Sequence, residues 1–327
     1  MPRPETPAIS TAPAAPRPAP VQQPMRGILF KTASVCVFVA MAAIIKATSN
    51  DVPPGEAVFF RSFFALPVII VWLLWRGELR HGLETPNPMG HLWRGVVGTA
   101  AMGLGFTALG LLPFPEVTAI GYAAPLMVVI LAAMFLGEEV RLFRLSAVGA
   151  GLAGVLIVMS PRLSVTSDPL SLAETLGAVV ALGGALCAAL AQVFVRKLTR
   201  TEGTAAIVFW FSTTASLLAL LTLPFGWVLP GAGTFALLIL AGLLGGVGQI
   251  LLTSSYRYAD ASLIAPFEYA SMLLALGVGY FLFDEVPTWT MMLGAAIIVA
   301  AGIAIIWRER KLGLERGRGR RAMSPNG

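Results

Sequence analysis

The chain has 327 residues, of which 57% are hydrophobic and 12% charged, with a formal net charge of +6 and a mean hydropathy of +0.80. Soluble domains carry roughly 25% charged residues, so a chain this poor in charge cannot cover a water-facing surface, and its solvent is lipid. Its Lys and Arg stand singly between apolar runs and at the C-terminus, not clustered on one face with aromatics, which excludes nucleic acid as an expected partner.

Residues 1–24 are rich in Pro and Ala and are predicted to form a disordered cytoplasmic tail. They contain no apolar core of a signal peptide, so the first apolar run is expected to act as an uncleaved anchor. Ten runs follow that are long enough to span a bilayer as helices: 26–47, 56–75, 93–112, 115–136, 143–160, 172–195, 204–224, 234–256, 261–283 and 288–307. They are joined by short segments with Pro, Gly or charge, such as Asp51-Val52-Pro53-Pro54-Gly55 and Leu112-Pro113-Phe114-Pro115. Backbone groups in lipid must be bonded within the segment, and no ten-residue alternation marks a barrel strand, so the runs read as helices. A basic tail, 309–327, closes the chain.

With the N-terminus placed in the cytoplasm, nearly all Lys and Arg fall on that side. Among them are Arg76, Arg80, Arg94, Arg141, Arg144, Arg196, Lys197 and Arg257; the opposite side holds only Lys46 and Arg162. This asymmetry predicts a multi-pass protein of the cell inner membrane with both termini cytoplasmic.

The chain repeats itself. Ala108 to Val140 resembles Ser254 to Val286 at an offset of 146, which aligns Tyr122 with Glu268, Ala123 with Tyr269, and Glu138-Glu139-Val140 with Asp284-Glu285-Val286. The halves are predicted at 25–160 and 172–308, five helices each. An odd number of crossings forces the two copies to run through the membrane in opposite senses. The expected fold is therefore an all-α membrane protein of ten transmembrane helices in a 5+5 inverted-topology repeat. In such repeats a substrate is held near the midplane between the halves.

Several ionisable or polar side chains fall inside the apolar runs, where they are costly and mark functional candidates. Glu268 lies about two turns into the ninth run, followed by Tyr269. It could bind a cation or exchange a proton, with Arg61 or Lys31 as the structural alternative. Lys31 lies close enough to the cytoplasmic end for its long stem to snorkel, the reading preferred to a cavity charge facing Glu268. Arg61 stands among Phe59, Phe60, Phe63 and Phe64. It could clamp a carboxylate or phosphate, although a packing role, paired with Glu56 or backbone carbonyls, is preferred. Gln192 and Gln249 serve either as interhelical glue or as ligand contacts. Tyr122 and Tyr269 can stack on a flat ligand and hydrogen-bond it. Glu138, Glu139, Asp284 and Glu285 sit at helix ends and read as structural or gating groups. Pro125 and Pro266 kink or break the fourth and ninth helices.

The run Pro125-Leu126 through Leu136-Gly137-Glu138-Glu139, with the ten helices and the repeat, resembles the EamA branch of the drug/metabolite transporter superfamily. The second copy has Ser271 in place of Pro125 and Phe283-Asp284-Glu285 in place of Gly137-Glu138-Glu139. The resemblance implies a central cavity lined by helices 1, 3, 4, 6, 8 and 9, and a cargo such as an amino acid, a vitamin, S-adenosylmethionine, a nucleotide precursor or a drug. Val52-Pro53-Pro54-Gly55-Glu56, with Phe59-Phe60-Arg61-Ser62-Phe63-Phe64, is similar to members linked to riboflavin or S-adenosylmethionine uptake.

The expected function is secondary transport of a small polar metabolite by alternating access, riboflavin or a related vitamin first, with S-adenosylmethionine or an amino acid as the alternative. Import and export stay open. The readings of another class are a non-transporting sensor and a membrane-embedded enzyme. No G-x-x-x-x-G-K-[ST] loop is present, so ATP is not the expected direct energy source. No Ser/His/Asp or HExxH arrangement suggests catalysis, and Cys36, Cys187, His81 and His91 make no metal motif. No cofactor is expected. The expected partners are the small-molecule substrate and the bilayer, and a homodimer is left open.

Overall fold

A computed structural model describes residues 23–77, 79, 82–136, 142–163, 169–198, 201–259 and 261–322. Ten helices cross in sequence. They are α1 (Pro24–Ala47), α2 (Pro54–Trp75), α3 (Pro88–Leu111), α4 (Phe114–Leu136), α5 (Leu142–Met159), α6 (Pro169–Leu198), α7 (Thr204–Leu220), α8 (Ala232–Tyr258), α9 (Phe267–Phe283) and α10 (Trp289–Ala322). Eight have stretches long and apolar enough to cross a membrane, and α7 and α9 are the two shorter apolar ones. The predicted disordered tail, 1–24, lies almost wholly outside the described residues. The predicted basic tail continues α10 as helix to Ala322.

Proline sets many of the helix starts. Pro24, Pro54 and Pro88 stand at the first helical positions of α1, α2 and α3, where a missing N–H costs nothing and the fixed φ suits the helix. At α3 the Asn87 side chain also accepts the Gly90 N–H at 2.9 Å, which caps the helix. α3 therefore begins about five residues before the predicted apolar run. This carries His91, ahead of the predicted run, into the helix and sets Arg94, at the cytoplasmic end of that run, well inside it.

Prolines inside the helices break them. α2 interrupts at Phe64 and α4 at Tyr122, in each case three residues before a proline, Pro67 or Pro125. A proline ring clashes with the carbonyl four residues back and offers it no N–H, here Phe63 and Gly121. In α9 the chain passes through a 3-10 stretch, Ala265–Tyr269, around Pro266. The breaks expected in the fourth and ninth helices are present, and that in α2 was not anticipated. α8 makes room for the α2 break: a Cβ at Gly242 would run into the Phe60 carbonyl and Phe64.

The two five-helix halves interlock. α3 packs along α6, as α1 packs along α8; α4 meets α6, as α9 meets α1; α5 crosses α10, and α2 crosses α7. Exchanging each helix for the one five places later maps this contact pattern onto itself, as a two-fold repeat requires. Loop contacts obey the alternation of ten crossings. On the face holding the start of α1 (the near face), the Gln23 N–H donates to the Tyr258 carbonyl at 3.0 Å, and the Glu202 carboxylate accepts from Thr85 Oγ1 at 2.7 Å. On the far face, Lys46 pairs with Glu285 at 2.8 Å and Arg162 with Glu116 at 2.9 Å. Large apolar side chains such as Val71, Leu156, Leu217, Leu273 and Phe281 are exposed around the outside, where lipid replaces a core.

Candidate functional site

The breaks in α4 and α9 face each other and bring Tyr122, Tyr269 and Glu268 together, with Lys31 of α1 beside them. Tyr122, at the α4 break, is 5% exposed, and its ring centroid lies 5.1 Å from that of Tyr269 at an angle of 51°. Its hydroxyl is 2.5 Å from Ser271 Oγ and 3.3 Å from the Glu268 carbonyl oxygen. Ser271 Oγ also donates to that carbonyl at 2.8 Å. Ser271 occupies the place that Pro125 holds in the first half, so where one copy supplies a helix-breaking ring the other supplies a hydroxyl that bonds the Glu268 carbonyl. On its other side Tyr269 lies against α10 at Gly302, where a Cβ would collide with the phenol oxygen.

Glu268 projects from the 3-10 stretch and pairs with Lys31 of α1, Nζ to Oε2 3.4 Å. The Lys31 side chain is 3% exposed and that of Glu268 41%. The expected snorkelling of Lys31 is corrected: the ammonium is held inside by a carboxylate from the other half. An unpaired ammonium there would carry a desolvation penalty of several kcal/mol, which this pairing offsets. Lys31 stands seven residues into α1, roughly 10 Å from its start at 1.5 Å per residue.

Arg61 is elsewhere. It is 4% exposed and lies over the Phe211 ring of α7, its guanidinium carbon 5.6 Å from the centroid. Glu56, its expected partner, instead accepts the Val228 N–H at 3.1 Å on the far face. Gln249 is half-buried on α8, and Gln192 is exposed on α6. Among the described residues neither amide makes a hydrogen bond to Tyr122, Tyr269 or Glu268. Trp210 Nε1 donates to the Leu83 carbonyl at 3.0 Å, a structural contact. Glu138 and Glu139 lie outside the described residues.

On the far face the two halves are tied by ion pairs. Lys46 Nζ pairs with Glu285 and also donates to the Leu112 and Leu109 carbonyls at 2.8 and 3.2 Å, while Glu285 accepts the Phe114 N–H at 2.7 Å. Arg162 clamps Glu116 through Nε and Nη2, at 3.0 and 2.9 Å, and reaches Glu174 of the second half at 2.7 Å. Asp284 next to Glu285 has φ +54°, a left-handed C-cap for α9 that lets the Glu285 N–H return to the Gly279 carbonyl at 2.9 Å. Glu285 thus performs the end-of-helix role read for it, and it does so across the two halves.

Among the described residues no cluster of His, Cys, Asp and Glu could hold a metal ion. A cleft of about 260 Å³ between α2, α3 and α7, lined by Val58, Val96, Thr99 and Leu218 among others, contains no ionisable side chain. Sequence reasoning missed Arg94, which is 9% exposed and has its guanidinium carbon 3.7 Å from the centroid of Phe211. The Asn87-Pro88 cap was the signal that could have placed it deeper in α3.

Residues 25–160 and 175–308 both match the profile of the EamA-like transporter family. The chain is 29% identical over 280 residues to the pseudopaline exporter CntI of Pseudomonas aeruginosa, covering 85% of this chain and 95% of that protein. It is 26% identical over 290 residues to the S-adenosylmethionine uptake transporter of Rickettsia bellii, with 86% and 96% covered. It is 30% identical over 267 residues to the riboflavin transporter of Rhizobium johnstonii, with 79% and 83% covered. A solved crystal structure matches 86% of this chain and 98% of its own, with a TM-score of 0.63 at 21% identity, a likeness of fold.

Proposed function

Since the chain belongs to the EamA-like transporter family, we propose that it carries a small polar metabolite across the cell inner membrane by alternating access, with Lys31, Glu268, Tyr122 and Tyr269 at its working centre. The observation that carries this reading is the Lys31–Glu268 pair. It joins the two halves at depth and stands beside the breaks of α4 and α9. A carboxylate 41% exposed to hydrocarbon would be untenable, so the space it faces admits water and polar cargo. Glu268 is free on that side to take a cationic group or a proton, and Lys31 stands as its counter-charge when the site is empty. Tyr269, half-buried, offers a ring face beside the same space.

The ion pairs that tie the halves on the far face favour reading this conformation as open toward the near face. The distribution of Lys and Arg supports a cytoplasmic near face and cytoplasmic termini. Rocking of one half against the other would break the Lys46–Glu285 and Arg162–Glu174 ties and open the far side. Two five-helix domains, 25–160 and 172–308, are the moving parts in this account.

Relatives are named for riboflavin, S-adenosylmethionine and pseudopaline, so riboflavin and S-adenosylmethionine are the first cargoes to offer, followed by amino acids. Purified protein in proteoliposomes is expected to give saturable flux of one of them. The Glu268→Gln variant is expected to lower that flux by at least roughly tenfold, the effect of losing one charge-assisted contact. Absence of flux for the whole panel, with folded protein, would falsify the transport reading for these cargoes. Full flux in the variant would remove Glu268 from the mechanism.

A further inference from the structure

Lys31 and Glu268 balance each other, but among the described residues two further buried cations, Arg61 and Arg94, have no carboxylate within ion-pair distance. Arg61 on α2 and Arg94 on α3 are 4% and 9% exposed, and both lie against one ring, Phe211 of α7. α2 enters from the far face and α3 from the near face, so the two residues, seven and six positions along, each stand roughly 10 Å deep. In both guanidiniums Nε and Nη1 have no hydrogen-bond partner. The hydroxyls of Ser62, Ser212 and Thr213, next to Arg61 and Phe211 in the chain, also lack one. Among the described residues no carboxylate lies within ion-pair distance of either arginine.

Two guanidiniums in this position repel each other. Desolvation adds to that cost for each, and a cation–π contact with Phe211 returns only a small part of it. The arrangement lacks an anion. The backbone nevertheless keeps room for both side chains. A Cβ at Gly98 would run into Arg94 Nη1 and the Phe211 ring, and a Cβ at Gly245 would come within 3.1 Å of Arg61 Nε. Planar forks of N–H donors match the paired oxygens of a carboxylate or phosphate, and a spherical halide cannot use both prongs in that way.

We propose that Arg61 and Arg94, splayed about Phe211, form a buried binding site for an oxyanion, a carboxylate or phosphate group. The group comes either from an acidic metabolite or from free inorganic phosphate. The site does not depend on the Glu268 centre or on transport, and it is tested by binding alone.

Full-length protein in detergent, dialysed into chloride, is titrated with sodium phosphate and, separately, with acetate and citrate at constant ionic strength, and thermal unfolding is followed. A ligand of the folded state raises Tm in a saturable way. The proposal expects such a rise for phosphate or for the carboxylates. Response to phosphate alone assigns the site to a phosphate, and response to the carboxylates assigns it to an organic acid. In Arg61→Gln and Arg94→Gln the half-saturating concentration is expected to rise by roughly tenfold or more, as for a lost charged hydrogen bond. Gly98→Ala keeps both charges but blocks the seat of Arg94, so it is expected to weaken binding similarly even if the arginine variants fail to fold. No saturable rise beyond chloride, or an unchanged half-saturation in the variants that fold, overturns the proposal.

Discussion

Lys46 at the end of α1 and Glu285 after α9 form an ion pair of 2.8 Å that ties the first half of the chain to the second on the far face. The ammonium also bonds two carbonyls at the end of α3, and the carboxylate bonds the first amide of α4. One pair therefore gathers the ends of four helices. Lys46→Met is expected to lower stability by about 2 kcal/mol, because it leaves Glu285 partly buried and two carbonyls without a donor. Thermal unfolding of the variant in the same detergent checks this.

The central pair is unequal in its exposure. Removing the carboxylate (Glu268→Gln) takes the carboxylate from an ammonium that is 3% exposed; removing the ammonium (Lys31→Met) takes the cation from a carboxylate that is 41% exposed. The first change is expected to destabilise by about 2 kcal/mol and the second by about 1 kcal/mol or less, since a solvated orphan charge costs less than a buried one. The double variant should lie closer to wild type than the sum of the two. Equal losses that simply add would show that the two groups are not coupled.

Pro125 holds α4 open at Tyr122. Pro125→Ala restores an N–H for the Gly121 carbonyl and allows the helix to close. Stability is expected to hold or rise, by up to about 1 kcal/mol, while flux falls, because Tyr122 is drawn away from Ser271 and Glu268. Melting and uptake measured on one preparation separate the two effects.

Tyr122→Phe removes a buried hydroxyl whose partner, Ser271, keeps its own bond to the Glu268 carbonyl. The expected cost is about 1 kcal/mol. Once Ser271 has been changed to Ala, the same replacement should cost less, which a double-mutant cycle reads directly.

Much of this fold is legible in the sequence because lipid demands long apolar runs and leaves few alternatives to a helix. The repeat, and through it the odd count of helices per half, is likewise visible in residues such as Glu138-Glu139 and Asp284-Glu285. The breaks at Tyr122 and around Pro266 follow from proline chemistry, although Pro67 carried the same signal and was passed over. Pairings are less legible. Lys31 has an obvious route to the surface until α9 is known to lie beside α1 with Glu268 at the same depth. Arg94 sits just where hydropathy begins to rise, and only the Asn87-Pro88 cap tells that its helix has already started. For Gln192 the depth is readable but the facing is not, because α6 is apolar around most of its circumference and fixes no rotation on its own.

The most direct test of alternating access is to lock the far face. Cys36 and Cys187 are replaced by Ala, Lys46 and Glu285 by Cys, and the pair is joined with a short, reducible bis-thiol cross-linker in proteoliposomes that take up the cargo found in the panel. The account predicts that cross-linking abolishes uptake and that reduction restores it to the level measured before linking. Undiminished uptake with the link fully formed would contradict it.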